Sequence, residues 1–174
     1  MSVATALLGL LVVTGGFDAG ARIAGAFPAG GLTRNHSQTA VLGAHIGYST
    51  GPLRFELGYD YVGLPGLLSI PYSLNVHQTS ATGGWQFVRQ ADWGLEAVAG
   101  GGFGTATRSY SSEGSESGNV GIGQVGMNFI QLAGKGRLTV GVLHTLYVEA
   151  RQAETYELAL SQLFAVRAGV GYVF

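Results

Sequence analysis

The segment from residue 53 to residue 61 alternates strictly between apolar and polar side chains, and this pattern constrains the fold more than any other feature of the chain. Successive side chains of a β-strand point to opposite faces, so such a strand has one apolar and one polar face. The apolar face carries Leu53, Phe55, Leu57, Tyr59 and Tyr61. The polar face carries Arg54, Glu56, Gly58 and Asp60. The segment is therefore predicted to be a strand between a nonpolar and a polar environment.

Similar alternation recurs along the chain and predicts eight strands. They cover residues 17–27, 40–48, 53–61, 73–88, 95–105, 119–130, 137–148 and 158–174.

Two of these strands are irregular. In the fourth strand, residues 74–76 alternate in one phase and residues 85–87 in the other, which predicts a β-bulge near residues 77–79. In the sixth strand, residues 120–122 are out of step with residues 125–129, which leaves the register of this strand open.

The composition restricts the environment of these strands. Charged residues make up 11% and hydrophobic residues 47% of the 174 residues, and the mean hydropathy is +0.29. Ordinary soluble domains carry about 25% charged residues. A chain this apolar suggests a membrane, but it has no run of about 18 apolar residues that could cross a bilayer as a helix. The other architecture that can span a bilayer is a closed β-barrel, because every backbone polar group in it is paired.

Composition also excludes several classes of function. The formal net charge is −1, so no positive field is available to attract nucleic acid. The absence of cysteine excludes disulfide bonds, zinc–thiolate sites and cysteine catalysis. No pairs of Asp or Glu have the spacing of metal ligands, so we expect neither a metal nor another cofactor.

The connections between the predicted strands alternate in length. Three are short and rich in turn residues, at 49–52, 89–93 and 131–136. Four are longer, at 28–38, 63–72, 107–118 and 149–156. Outer-membrane barrels have short periplasmic turns and longer extracellular loops. We therefore expect four extracellular loops, of which the Ser- and Gly-rich third loop is mobile and solvated.

The N-terminal residues form a separate segment. Residues 4–13 are the most hydrophobic stretch and are too few to span a bilayer. They resemble the h-region of a secretory signal, and small residues follow them, although no Lys or Arg precedes Arg22. We expect residues 1–16 to be a signal-peptide h-region or an N-terminal remnant, and residues 17–174 to form the barrel.

From residue 17 to residue 174 the chain resembles the eight-stranded outer-membrane β-barrels of the OmpA/OmpX type. The most specific element is the last strand, which alternates through Val166, Ala168, Val170 and Tyr172 to Phe174. The resemblance implies an all-β fold, an eight-stranded antiparallel up-and-down transmembrane barrel in a bacterial outer membrane. It also implies that Tyr172 and Phe174 are a recognition signal for the barrel-assembly machinery. The surrounding partners would be outer-membrane lipid and lipopolysaccharide.

The aromatic residues favour this interpretation, because amphipathic rings settle at both membrane interfaces. Near the short turns lie Tyr48, Phe55, Trp85, Phe87, Trp93 and Phe174, and near the long loops lie Tyr61, Tyr72 and Phe103. The alternative is a soluble barrel such as a lipocalin, which has an apolar interior and needs a charged outer wall. The chain has a single lysine, Lys135, in a predicted turn, which favours the membrane barrel.

The polar face of the strands is predicted to line the lumen. The candidate luminal residues are Arg22, His45, Arg54, Glu56, Asp60, Glu96 and Arg167, with Arg137 near the short-turn rim. Isolated buried charges are costly, so these groups must pair. The favoured interpretation is an ion-paired plug that fixes the barrel, with glycines leaving room for larger neighbours. A narrow gated conduit is the alternative.

An enzymatic role is an alternative to this structural one. Lipid A deacylases use a His-x-Ser pair with a later Glu on the lipid side of the wall. Here His144 shares a face with apolar residues, but the position two residues later is Leu146, and Glu157 without a nucleophile performs no acyl transfer. His77 and Ser80 straddle the predicted bulge, and His36–Ser37 lies in a predicted loop. We expect no enzyme activity and a structural role for each histidine.

The remaining candidate surface is the second long loop, which is unusually apolar. Its apolar residues are Leu64, Leu67, Leu68 and Ile70. Exposed apolar patches often mark interaction sites, although this loop could also cap the barrel mouth. The sequence therefore predicts a small outer-membrane barrel with a structural or adhesion-like surface role. The alternatives left open are a lipid-modifying enzyme and a narrow channel.

Overall fold

The computed structural model describes residues 16–67, 72–110, 114–149 and 161–174, and these residues form eight strands and one short 3-10 helix. The strands are β1 Gly16–Ala29, β2 Thr39–Thr50, β3 Leu53–Leu64, β4 Tyr72–Arg89, β5 Trp93–Tyr110, β6 Ser115–Ala133, β7 Gly136–Glu149 and β8 Ser161–Val173. The 3-10 helix spans Gly30–Arg34 and follows β1 directly. In the described part of the chain, no helix has the length and apolar character that crossing a membrane requires.

The strands form one closed barrel in which each strand pairs with its neighbours in the sequence. All pairings are antiparallel, and β8 closes the barrel onto β1 from Asp18↔Val173 to Ala29↔Gln162. Closure leaves no unpaired sheet edge along these paired residues. The predicted fold, an eight-stranded antiparallel up-and-down barrel, is confirmed.

The connections differ in length between the two ends, although not entirely as predicted. At one end the strands are joined by tight turns at residues 51–52, 90–92 and 134–135. Gly51 and Gly134 adopt φ values of 60° and 59°, which is the left-handed region that favours glycine. At the other end, the predicted solvated loop 107–118 was wrong in extent. The long strands β5 and β6 pair up to Ser109↔Ser115, so only residues 111–114 connect them.

The outer wall of the barrel is apolar. Its exposed side chains include Phe17, Ile23, Leu42, Ile46, Phe55, Leu57, Trp85, Phe103, Val125, Val142, Val166 and Val170. The buried charged side chains instead point inward, among them Arg54 and Glu96. This polarity is the inverse of a soluble barrel, so the lipocalin-like alternative is wrong and the wall is a lipid-facing surface.

In the two irregular strands, inward and outward positions alternate without interruption. The pattern looked broken because apolar residues occupy inward as well as outward positions. Leu74 and Val76 of β4 are 4% and 0% exposed inside the barrel, whereas Trp85 is 56% exposed outside. The expected bulge near residues 77–79 is wrong, since β4 pairs continuously there and its register shifts only between Gln86 and Val88.

The sixth strand follows the same rule. Val120 and Ile122 are 2% and 7% exposed inside, and Val125 and Met127 are outside. The alternation was interrupted in the sequence because the interior itself changes from polar to apolar along the barrel axis.

Candidate functional site

The seven residues predicted for the lumen all lie inside the barrel, and most of them lie nearer the short-turn end of their strand than the other end. They are Arg22, His45, Arg54, Glu56, Asp60, Glu96 and Arg167. They form, with Asp18, Gln78, Asn128 and Arg137, a set that we call the ion-pair network. Each of the eight strands contributes at least one member. The network therefore links side chains from all eight strands of the barrel.

Arg22 and Arg54 form the centre of the network. Arg22 donates from Nε to Asp60 Oδ1 at 2.7 Å and from Nη2 to Asp60 Oδ2 at 2.9 Å, and it also pairs with Glu56. Arg54 pairs with the same Glu56 and donates from Nη2 to Asp18 Oδ1 at 2.6 Å. Forked contacts of this kind combine charge with fixed geometry, so they set the orientation of these side chains.

A second branch continues around the barrel through an amide. Asn128 donates from Nδ2 to Glu96 Oε1 at 2.9 Å and accepts from Arg167 Nη2 at 3.0 Å. Glu96 is 0% exposed. The two branches meet at Arg137, whose guanidinium lies 3.8 Å from both Asp18 Oδ2 and Glu96 Oε2.

The network is balanced in charge. It contains the four arginines 22, 54, 137 and 167 and the four carboxylates 18, 56, 60 and 96, and His45 Nε2 lies 3.4 Å from Asp18 Oδ1. A neutral, interlocked set lowers the cost of burying each ion, whereas loss of one member leaves an uncompensated charge. Such an arrangement stabilises the barrel from the inside by linking its strands.

Glycines on the inner wall provide the space for these side chains. A Cβ at Gly84 would lie 2.7 Å from Glu96 Cδ, and one at Gly47 would lie 2.6 Å from Arg54 Nη2. A Cβ at Gly58 would collide with the guanidinium of Arg22. The outward-facing Gly25 and Gly123 have nothing within 4 Å of the corresponding position. Gly47, Gly58 and Gly84 are thus matched to particular charged neighbours.

One charged member of the network, Asp18, is not among the luminal residues predicted from the sequence. Asp18 shares the inward phase of Arg22, so the alternation of β1 already contained the signal that identifies it. Arg137, predicted in the lumen near the short-turn rim, is 7% exposed. The partners Gln78, Asn128 and Tyr147 carried no sequence signal, because their contacts depend on which strands face each other across the lumen.

The half of the lumen nearest the long connections is filled by a different set of side chains, which we call the apolar layer. Its members are Ala24, Ala26, Leu32, Val41, Val62, Leu64, Leu74, Val76, Ala106, Val120, Ile122, Tyr147 and Leu163. All eight strands and the 3-10 helix contribute to it, and Leu32 of that helix is 0% exposed. Eight strands enclose a space just wide enough for side chains, and these side chains fill this part of it.

Above the apolar layer, two of the long connections contact each other. His36 is 3% exposed, forms an isolated bridge with Gly66 and bonds through Nδ1 to the Pro65 carbonyl at 3.3 Å. The Leu67 amide donates to the Asn35 carbonyl at 2.9 Å. The first two connections therefore fold together over the barrel mouth.

The predicted apolar loop is divided by this arrangement. Leu64 is wrong as a surface residue, because it ends β3 on the inner side and is 1% exposed in the apolar layer. Leu67 is 37% exposed. Leu68 and Ile70 lie outside the described residues.

A group of polar and aromatic side chains lines the mouth, and we call it the mouth cluster. Tyr72, expected in the outer aromatic girdle, belongs to this cluster instead, because its position in β4 faces inward with Leu74. Its ring lies 5.5 Å from that of Tyr110, and the Arg108 guanidinium carbon lies 4.6 Å from its centroid. Arg108 Nη1 donates to the Tyr110 hydroxyl at 3.2 Å, and that hydroxyl donates to Glu116 Oε2 at 3.5 Å.

The histidines considered for catalysis have structural partners. His77 faces outward and bonds to the Tyr59 hydroxyl at 2.6 Å, whereas Ser80 is 4% exposed inside, so these two residues do not form a pair. His144 faces the lipid side and stacks on Phe164 with ring centroids 4.4 Å apart. The later Glu157 lies outside the described residues.

Two further features concern ligands and the last strand. Among the residues that the structure describes, no three His, Asp or Glu side chains are grouped to hold a metal ion.

Tyr172 and Phe174 are 49% and 74% exposed on the outer wall, and their rings meet edge to face at 5.3 Å.

Comparison with known proteins identifies the fold. No protein-family model matches the sequence, and no curated protein matches it. Neisserial surface protein A (NspA) is 15% identical, with 91% of this chain and 97% of that chain covered and a TM-score of 0.65. The N-terminal β-barrel domain of Pseudomonas aeruginosa OprF is 14% identical, with 92% and 100% covered and a TM-score of 0.58. Ail, the attachment invasion locus protein of Yersinia pestis, solved with the heparin analogue sucrose octasulfate, is 15% identical, with 92% and 97% covered and a TM-score of 0.52.

These similarities and the polarity of the wall agree. The chain has the fold of the small eight-stranded outer-membrane β-barrels, as the sequence predicted. A closed barrel with an apolar outer wall and a charged interior is the architecture of proteins in the bacterial outer membrane.

Proposed function

We propose that this protein is a closed, non-conducting barrel with a structural or surface-interaction role in the outer membrane. The apolar layer is the observation that carries this proposal. It lies across a narrow lumen and is contributed by all eight strands. An apolar constriction of this kind excludes water and ions by dewetting. If nothing passes through the lumen, the extracellular face is the surface that can contact other molecules.

The mouth cluster and the exposed Leu67 supply the chemistry for contact with an extracellular partner. Tyr and Arg are enriched at protein interfaces, because they combine a large contact area with hydrogen-bonding groups. Arg108 and Tyr110 lie together in the long β5–β6 hairpin. Ail, named for attachment and solved with a heparin analogue, and the surface protein NspA support a surface role by fold alone.

The test is adhesion of a Gram-negative host that displays the protein. We expect the variants Tyr110→Ala and Leu67→Asp to reduce adhesion relative to the wild type. Gln38→Ala, an exposed change between the 3-10 helix and β2, is the matched control. Equal adhesion of all variants, with equal surface amounts by antibody, would refute a role for this face.

The partners within the membrane are also part of the proposal. The outer wall contacts outer-membrane lipid and lipopolysaccharide, and the exposed Tyr172 and Phe174 serve as a signal to the assembly machinery. Both rings are exposed on the outer wall, where a binding partner can reach them.

The alternatives have less support. A channel would need a polar path, but the apolar layer interrupts the charged lumen. A lipid A deacylase would need a nucleophile beside a lipid-facing histidine, but His144 contacts Phe164 and Gln162. We therefore favour a non-enzymatic role.

A further inference from the structure

The lipid-facing wall has a concave region that the surface role does not explain. It crosses β6, β7, β8 and β1 and encloses about 430 Å³. We call it the lipid groove. Its floor is the backbone at Gly126, Leu143 and Ala165. These three positions face the lumen, so the outer surface is recessed there between two rows of outward side chains.

The two rows follow the strand register. One row runs Val125↔His144↔Phe164↔Phe27, and the other runs Met127↔Val142↔Val166↔Gly25. The first four side chains line the groove, and Gly25 in the second row leaves its end open, with nothing within 4 Å of a would-be Cβ. Three inter-strand spacings of about 4.8 Å make the groove ~14 Å long.

A polar pair lies beside this apolar lining. His144 is stacked flat on Phe164, with an interplanar angle of 10°, and its Nε2 lies 3.2 Å from Gln162 Oε1. Gln162 lies closer than Phe164 to the extracellular end of β8. The contact uses the amide oxygen of Gln162, and its amide N–H groups make no hydrogen bond to the residues that the structure describes. An ionisable residue on a lipid-facing wall marks a functional site by default.

We propose that the lipid groove binds one acyl chain of an outer-leaflet lipid and that Gln162, oriented by His144, donates to the carbonyl at the base of that chain. Hydrocarbon gains no hydrophobic free energy by moving from bilayer to groove, so close packing must hold the chain. The carbonyl satisfies amide hydrogens that hydrocarbon would leave unpaired. Ester- and amide-linked lipids therefore fit the site, and ether-linked lipids lack the acceptor.

Native mass spectrometry of the detergent-solubilised barrel tests this with two probes, a diester and a diether phosphatidylethanolamine of equal chain length. We expect the wild type to retain one lipid and to prefer the diester about tenfold, the value of one buried hydrogen bond. Val142→Trp fills the groove and should abolish retention, whereas Val140→Trp, an outward change on the same strand outside the groove, should retain it.

The double variant His144→Phe with Gln162→Leu keeps the aromatic stack and removes the polar pair. It should bind diester and diether lipids equally. Equal retention by the wild type and Val142→Trp, or no diester preference in the wild type, would overturn the proposal. The adhesion of displayed cells tests the surface role independently, so failure of one proposal is distinguishable from failure of the other.

Discussion

The Tyr147 hydroxyl donates a hydrogen bond to Gln78 Oε1 at 2.9 Å, and this contact joins the two halves of the lumen. The Tyr147 ring is 0% exposed within the apolar layer. Gln78 Nε2 lies 3.4 Å from Asp60 Oδ2, which Arg22 holds. A single buried side chain thus connects the apolar layer to the ion-pair network, so both halves should unfold together.

Replacement of Tyr147 by Phe tests this connection. The change preserves the ring and leaves the Gln78 amide oxygen buried without its donor, so we expect a loss of about 1–3 kcal/mol in the free energy of unfolding. Urea unfolding of the detergent-folded barrel measures it. Tyr61→Phe is the control, because the Tyr61 hydroxyl bonds to Asn75 at the exposed outer wall. A larger loss in the control than in Tyr147→Phe would contradict the assignment.

Removal of an arginine from the ion-pair network should be among the most damaging single changes. Arg22→Met leaves Asp60 and part of Glu56 uncompensated, and we expect a loss of about 3–5 kcal/mol in the free energy of unfolding. The double variant Arg22→Met with Asp60→Asn should recover part of that loss. Arg34→Met, at an exposed position of the 3-10 helix, should stay within about 0.5 kcal/mol of the wild type.

The luminal glycines that face the ion-pair network, such as Gly84, should not tolerate even a methyl group. Gly84→Ala places its Cβ against the buried carboxylate of Glu96, and overpacking of this kind costs about 1–3 kcal/mol. Gly123→Ala adds the same group to the outer wall, where nothing lies within 4 Å, and should change stability by less than about 0.5 kcal/mol. The unfolding midpoints of the two variants decide the point, and equal midpoints would refute it.

The apolar layer, and not the ion-pair network, should keep the barrel closed to ions. Val62 and Val76 pair across β3 and β4 and are both 0% exposed. Val62→Ser with Val76→Ser should wet the layer and produce conductance in planar bilayers, whereas Glu96→Gln with Arg137→Gln should not. Conductance only after neutralisation of Glu96 and Arg137 would instead show that the ion-pair network blocks the passage of ions.

The positions of most strands could be predicted because alternation is a local property. Residues 53–61 identify β3 without any knowledge of its neighbours, and the terminal alternation identifies β8. The same local pattern led to the wrong prediction of a bulge near residues 77–79. The prediction assumed that inward residues are polar throughout, and Leu74 and Val76 are inward and apolar.

The partners inside the lumen could not be predicted. Arg22 could have paired with any luminal carboxylate, and it pairs with Asp60 and Glu56 because β1 and β3 both flank β2 in the closed barrel. Tyr72 was assigned to the outer girdle by residue type alone, whereas the inward phase of β4 places it in the mouth cluster.

The sequence by itself determined the number of strands, the apolar outer wall and the set of charges facing inward, because side-chain alternation requires only the geometry of one strand. Tertiary structure decided which charges pair, how the lumen divides into a charged and an apolar half, and where the wall forms a groove. These features depend on closure and on the register between strands. A shift of one residue in that register would exchange every inward and outward side chain of a strand, and only the assembled barrel fixes it.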